Sequence, residues 1–285
     1  MSATLPPTAA PANDPVYLVD AHPPREIARI AERLGVTKAR TDSVTIMALA
    51  VLAGAFISLG ALLFTVVITG STLGFGLTRL IGGTAFCLGL VLVIIAGAEL
   101  FTGNNLLAMA WASGLIGTRS IIRNWLLVYL GNVVGCLVTV GFVVLAGTAR
   151  LGGGAVGTTA IQIAQAKAEL SLGDAFARGV LCNALVCLAV WLTMGGRSVT
   201  DKILAILFPI TAFVALGFEH SIANWFMLPL GLALDQGGVV SVAGALRNLT
   251  AVTAGNILGG TLLVAGVYWV AYLRGERQEA GTSQG

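Results

Sequence analysis

Charged side chains are scarce in this chain of 285 residues. Only 10% of the residues are Asp, Glu, Lys or Arg, whereas 56% are hydrophobic, and the mean hydropathy is +0.91. Soluble domains carry about 25% charged residues. The deficit excludes an ordinary soluble domain and predicts an integral membrane protein surrounded by lipid. The net charge of +3 is small and the basic residues are scattered, so we expect no nucleic-acid partner.

The chain also lacks the residue sets of membrane enzymes and pumps. Its two histidines, His22 and His220, do not form an H-E-x-x-H motif, and no G-x-x-x-x-G-K-[ST] nucleotide site is present. The four cysteines lie inside apolar runs at no metal-ligand spacing and are interpreted as buried thiols. They are Cys87, Cys136, Cys182 and Cys187. We therefore expect no enzymatic activity, no cofactor and no metal.

The ends of the chain differ from its apolar middle. Residues 1–24 contain six of the eight prolines and predict a flexible tail without a cleavable signal, and residues 276–285 predict a second tail. Residues 25–41 place apolar side chains at helical spacing among charged ones, which predicts an amphipathic cytoplasmic helix lying on the membrane or against the bundle. A solvated helix without a special role is the alternative.

Six apolar segments inside residues 42–275 are long enough to span a membrane, which needs about 20 residues. They cover residues 44–69, 80–113, 124–147, 172–195, 203–234 and 248–273. An even number of spanning segments places both termini on the same side of the membrane. Eleven of the sixteen lysines and arginines lie on the side of the termini, and five lie opposite: Arg79, Arg150, Lys167, Arg178 and Arg247. Basic residues accumulate in the cytoplasm, so both termini are predicted to be cytoplasmic, with the chain in a bacterial-type plasma membrane.

Two copies of one pattern interrupt the second and fifth segments. Both read G-x-E-x-x-x-x-N, at 97–104 and 217–224, and an acidic residue inside a membrane segment is by default a functional candidate. A second pair, G-N-x-x-G, occurs at 131–135 and 255–259. Each half, about 44–147 and 172–273, contains three segments, so the halves insert with opposite topology. Such inverted repeats are typical of transporters and channels.

The interruptions predict broken helices. Non-helical backbone at membrane depth survives only where protein or water covers it. Asn104 and Asn224 are predicted N-caps of the second half-helices, and Glu99 and Glu219 are interpreted as acceptors for the exposed amides. Pore-lining carboxylates are the alternative. Because a half-helix N-terminus presents N–H groups and a positive dipole end, the expected cargo is a small anion.

Four short runs carry a resemblance to a known family. They are Ala-Glu-Leu-Phe-Thr at 98–102, the segment from Cys182 to Trp191, Gly-Arg-Ser at 196–198 and Gly-Phe-Glu-His-Ser-Ile-Ala-Asn at 217–224. In this order and spacing they resemble the formate/nitrite transporter family, especially its formate-channel branch. The resemblance implies an all-α, aquaporin-like protomer with broken second and fifth helices, a homopentamer, and passage of formate, nitrite or a similar small monovalent anion.

The resemblance also implies roles for individual residues. His220 would be the central pore histidine and Thr102 part of the loop, with Leu100 and Phe101, that breaks the second segment. Lys167 and Asn183 would attract the anion. The remaining pathway residues would form an outer and an inner apolar constriction: Phe86 with Phe213, and Leu90 with Leu100 and Val186.

Elementary chemistry supports a role for His220 independently of the resemblance. Histidine titrates near neutral pH, so it can give a proton to an anion that Lys167 attracts, and a neutral acid then crosses the apolar constrictions. Histidine can instead serve only to form a hydrogen bond between helices.

Two other classes of membrane protein stay open. One is a water or neutral-solute channel, although the paired N-P-A tripeptides of that class are absent, and the other is a membrane scaffold without transport.

Overall fold

The computed structural model describes residues 21–275, and all of its regular secondary structure is helical. Both predicted tails therefore fall largely outside the described residues. The helices of the first half are α1 (Pro24–Arg40), α2 (Ser43–Ile68), α3 (Phe75–Val91), α4 (Ala108–Ala112) and α5 (Thr118–Leu145). Those of the second half are α6 (Ala155–Ala168), α7 (Leu172–Gly195), α8 (Val199–Ala215), α9 (Ser221–Leu234), α10 (Val242–Leu258) and α11 (Val267–Tyr272).

Six crossings follow from these helices. Within the described residues, five continuous helical stretches are long and apolar enough to span a membrane: Ser43–Ile68, Phe75–Gly97, Thr118–Leu145, Leu172–Gly195 and Val242–Tyr272. The remaining crossing, the fifth in chain order, consists of α8 and α9, which are separated by residues 216–220. The second crossing stops at Gly97 and resumes as a short 3₁₀ segment, Gly103–Leu107, before α4. The prediction of six segments with breaks in the second and fifth is confirmed.

Each half contains one helix more than the apolar segments indicated. α1 packs against α4 and the 3₁₀ segment of the first half, burying Ile27, Ala28 and Ala31. α6 packs against α9 and α10 in the second half. The two short helices therefore hold equivalent places at opposite ends of the bundle.

Glycines permit the closest helix contacts. A Cβ on Gly135 of α5 would lie 2.0 Å from the carbonyl oxygen of Val51 on α2, and one on Gly259, which follows α10, would lie 2.1 Å from that of Val180 on α7. Small residues let backbones approach closely in lipid, where packing replaces the hydrophobic effect as the force between helices. The G-N-x-x-G repeat therefore marks the closest approach of a glycine to another helix's backbone in each half.

Gly135→Ala is expected to destabilise the protein by about 1–3 kcal/mol or to prevent assembly, because α2 and α5 must separate to admit the methyl group. Gly141→Ala on the same helix is the matched control, since its Cβ would meet no atom within 4 Å. Thermal unfolding of the two detergent-solubilised variants measures the difference. Equal stability of the two variants would contradict this account of the contact.

Candidate permeation pathway

Both helix breaks begin at a glycine. Gly97 and Gly217, the first residues of the two G-x-E-x-x-x-x-N motifs, have φ angles of +83° and +74°, in the left-handed region that glycine adopts without a steric penalty. The chain then turns away from the helix axis and presents Leu100, Phe101 and Thr102 in one break and His220 in the other, all buried. The glycine thus explains the first position of each motif.

Two asparagines bind the free backbone groups of the breaks. Asn132 Oδ1 accepts from the amide of Phe101 at 2.9 Å, and its Nδ2 donates to the carbonyls of Ala50 and Glu99. Backbone groups left unpaired at this depth would cost several kcal/mol. Asn132 belongs to the first G-N-x-x-G motif, to which sequence analysis had assigned no contact.

The second half repeats this arrangement. Asn256 Oδ1 accepts from the amide of Ser221 at 2.8 Å, and its Nδ2 donates to the carbonyls of Gly179 and Glu219. Asn183, predicted to attract the anion, donates to the carbonyls of Asn256 and Thr102 at 2.7 and 3.3 Å. Its amide therefore joins the first break to α10, the helix whose Asn256 binds the second break.

The predicted N-caps are wrong. His220, not Asn224, is the N-cap of α9, because its Nδ1 accepts from the amide of Ala223 at 3.1 Å. Thr102 precedes the 3₁₀ segment, and Asn104 lies inside it. Both asparagines instead donate to glutamate carboxylates, because a buried carboxylate needs donors more than a helix end does.

Each glutamate is the centre of a buried polar cluster. Asn104 Nδ2 donates to Glu99 at 2.6 Å, and Asn224 Nδ2 donates to Glu219 at 2.7 Å. Lys38 and Lys167 form ion pairs with Glu99 and Glu219 respectively, each at 2.9 Å. The carboxylates thus bind side chains and not the exposed amides that sequence analysis assigned to them.

Sequence analysis missed three members of these clusters. Asn124 and Asn248 accept from Asn104 and Asn224, and they donate to the backbone carbonyls of Lys38 and Lys167. Lys38 lies on α1 and Lys167 on α6, so the two short helices deliver equivalent lysines. The lysines are 129 positions apart whereas the glutamates are 120 apart. This unequal spacing hid the correspondence.

His220 and Thr102 join the two breaks at the centre. The distance between His220 Nε2 and Thr102 Oγ1 is 3.0 Å, and the two residues are 3% and 0% exposed. Because Nδ1 accepts a hydrogen bond from the amide of Ala223, Nε2 carries the proton of the neutral ring and donates it in a hydrogen bond to the threonine hydroxyl. The threonine hydroxyl proton is then available to an acceptor.

The predicted constriction residues are apolar side chains of one buried core cluster. The rings of Phe86 and Phe213 meet edge to face at 5.5 Å, and Phe213 also stacks against the imidazole of His220 at 5.9 Å. The other predicted constriction residues are buried in the same core cluster: Leu90, Leu100 and Val186.

Two cavities are lined by residues of the predicted pathway. The larger, about 230 Å³, is lined by Lys167, Glu219, His220 and Phe213 among others, and is here named the Lys167 vestibule. The smaller, about 50 Å³, is lined by residues that include Lys38, Leu90 and Leu100, and is named the Lys38 vestibule. Of the sequence-predicted residues, Phe86, Lys167, Phe213 and His220 line the first cavity, and Leu90 and Leu100 line the second.

An inverted repeat whose two broken helices meet around a buried polar pair, with a lysine-bearing cavity at either end, defines a membrane transport protein of the channel type. The sequence profile described as formate/nitrite transporter matches residues 25–270. The chain belongs to this family.

Relatives and solved structures support this assignment. The chain is 40% identical to the formate channel FocA of Escherichia coli (strain K12) over 269 residues, covering 88% of this chain and 94% of that protein. A solved structure described as a pentameric formate channel with formate bound has a TM-score of 0.76 and 38% identity, covering 81% of this chain and 98% of that one. A second, described as an FNT family ion channel, has a TM-score of 0.80 and 31% identity, covering 86% and 98%.

Proposed function

We propose that this protein conducts small monovalent anions of weak acids, with formate as the first candidate and nitrite as the second. The observation that carries the proposal is the contact between His220 and Thr102, the polar pair between two apolar constrictions. The names of the relatives favour formate, because the similar FocA is a formate channel and a similar solved channel holds formate.

Protonation at the centre would carry the anion across the apolar layer. A bare anion loses its water there, at a cost of several kcal/mol. His220 takes up a proton at Nδ1, giving up the bond from Ala223, while its Nε2 proton passes to the Thr102 hydroxyl and the hydroxyl proton passes to the anion. The ring gains one proton and loses one, and a neutral acid moves on. The proton is released in the other vestibule.

The arrangement in the membrane follows from the same reasoning. The Lys38 vestibule lies on the side of the termini, which the excess of basic residues assigns to the cytoplasm of a plasma membrane. The Lys167 vestibule would then face outward. A homopentamer with one path in each protomer is proposed because the similar formate-bound channel is pentameric.

Counterflow into proteoliposomes tests the function. Labelled formate and labelled nitrite are expected to enter faster than into protein-free vesicles, and faster at the lower of two pH values, because protonation precedes crossing. Stopped-flow light scattering on the same vesicles measures water. Water flux with no anion flux would instead favour a neutral-solute channel, and no flux of any solute would favour a scaffold.

A further inference from the structure

The two vestibules differ in charge although the fold is symmetric. Three cationic residues line the Lys167 vestibule, Arg79, Lys167 and Arg178, against one acidic residue, Glu219. Lys38 is the one charged residue among those that line the Lys38 vestibule, and its charge is paired with Glu99. The three cations are drawn from the five basic residues that the sequence places on that side of the membrane.

The lysines differ in how many of their hydrogen-bond donors are used. Lys38 Nζ donates to both oxygens of Glu99 and to Asn104 Oδ1, at 2.8–3.0 Å, so its three donors have partners. Lys167 Nζ donates to Glu219 Oε1 alone among the described residues. Two of its N–H groups therefore stay available for an anion.

The asparagines show the same difference. Asn104 Oδ1 accepts from Lys38, whereas Asn224 Oδ1 is buried and has no hydrogen-bond partner within the described part of the chain. Asn224 lines the Lys167 vestibule. Within the described residues, the second polar cluster thus leaves two lysine N–H groups and one buried amide oxygen without partners, whereas the Lys38 and Asn104 groups of the first cluster bond one another.

The two arginines are held at the vestibule by different means. The Arg79 guanidinium donates to the backbone carbonyls of Val214 and Ala215 at the end of α8, which fixes it beside the break. Arg178 is exposed on α7, and its backbone carbonyl accepts from the amide of Glu219. The residue equivalent to Arg79 in the other half is Val199, since each lies 18 positions before the glycine of its break, so this charge has no symmetric counterpart.

We propose that Arg79 and Arg178 act with Lys167 as an anion-collecting cluster, so that the protein concentrates small monovalent anions on the Lys167 side only. This role rests on the proposed function. A cavity lined by one sign of charge within low-dielectric walls raises the local concentration of counter-ions and the rate of their entry. Entry from the Lys38 side lacks this gain, so half-saturation is reached at a lower concentration from the Lys167 side.

The reaction rates of charged thiol reagents measure the local electrostatic potential of the cluster without relying on transport. In the full-length protein, Ala166→Cys places a thiol in the Lys167 vestibule and Leu34→Cys places one in the Lys38 vestibule, while the four native cysteines are buried. Anionic and cationic methanethiosulfonates are applied to each. The ratio of the anionic to the cationic reaction rate is expected to be higher at Ala166→Cys than at Leu34→Cys. It should fall roughly fivefold when Arg178→Gln is added. A charge about 8 Å from the thiol changes the energy of each reagent by about 0.5 kcal/mol in water, with opposite signs for the anion and the cation, so the two effects add in the ratio.

Two controls isolate the charge. Arg247→Gln removes a cation from the same side, but Arg247 binds the carbonyls of Ala168 and Leu170 and does not line the vestibule, so the ratio should change less than with Arg178→Gln. Arg178→Lys should keep the ratio. The effect of Arg178→Gln on the ratio should be larger at about 10 mM salt than at about 150 mM, because the Debye length is about 30 Å at the lower concentration and about 8 Å at the higher one.

The results separate this inference from the function on which it rests. Equal ratios at the two thiols, or a ratio that Arg178→Gln leaves unchanged, would overturn the collecting cluster. If the ratios behave as expected but the wild-type protein moves no formate or nitrite, the function fails and the charge asymmetry stands. When both hold, Arg178→Gln should also lower formate entry from the Lys167 side about twofold or more below saturation and leave the saturated rate unchanged.

Discussion

In proteoliposomes, His220→Asn is expected to reduce formate flux about 100-fold and to remove its rise at low pH. The asparagine cannot supply a proton, so a bare anion would have to cross the constriction of Phe86 and Phe213. A penalty of about 3 kcal/mol corresponds to a factor of roughly 100, since each 1.4 kcal/mol is tenfold. Initial rates between about pH 5 and 8, corrected for protein-free vesicles, give the profile.

Asparagine is the informative replacement because it separates two roles of His220. Asparagine is among the best N-caps, so it can still accept the amide of Ala223 and keep the start of α9 in place. His22→Asn, the other histidine, is the matched control and should keep both rate and profile. A His220→Asn protein that transports formate like the wild type at every pH would show that the ring acts only as a helix cap.

Asn256→Ala is expected to lower the free energy of unfolding by about 3 kcal/mol or more. The change removes three buried hydrogen bonds and leaves the amide of Ser221 and the carbonyl of Glu219 without partners, at about 1–3 kcal/mol for each unsatisfied group, whereas the carbonyl of Gly179 keeps its helical bond within α7. Unfolding in denaturant, followed by circular dichroism, gives the value. Flux should fall in parallel because His220 precedes the backbone that Asn256 holds.

The symmetry of the fold supplies a second copy of this experiment. Asn132→Ala removes the equivalent three bonds from the first break and should destabilise the protein by a similar amount. Thr250→Ala on α10 is the control, because its side chain is exposed and bonds only the carbonyl of Leu246 one turn earlier. If Asn256→Ala is no less stable than Thr250→Ala, the asparagine does not maintain the break.

The crossings and their breaks were predictable from the sequence because they depend on local composition. A membrane segment needs only length and apolarity, and a single acidic residue within such a run, such as Glu99 or Glu219, is conspicuous. The repeated motifs then gave the antiparallel halves, and the family assignment from the same motifs is confirmed.

The contacts within the clusters could not be predicted in the same way. An asparagine amide beside a helix start can bind either the backbone or a nearby carboxylate, and the choice depends on which group is buried next to it. For Asn104 and Asn224 the carboxylate was the acceptor, so the N-cap prediction failed. Lys38 was missed because an amphipathic pattern in α1 indicates a buried face but not what its last turn reaches.

The hydrogen bonds of the two polar clusters lie within one half, whereas the central polar contact joins the halves. In the first half, the hydrogen bonds of Lys38, Glu99, Asn104 and Asn132 go to one another or to other residues of that half. The equivalent residues of the second half do the same. The contact of Thr102 with His220, in contrast, joins the two halves. Each half thus supplies the hydrogen-bond partners of its own glutamate. A route across the bilayer would need both halves, inserted in opposite senses, because its central polar pair takes one residue from each.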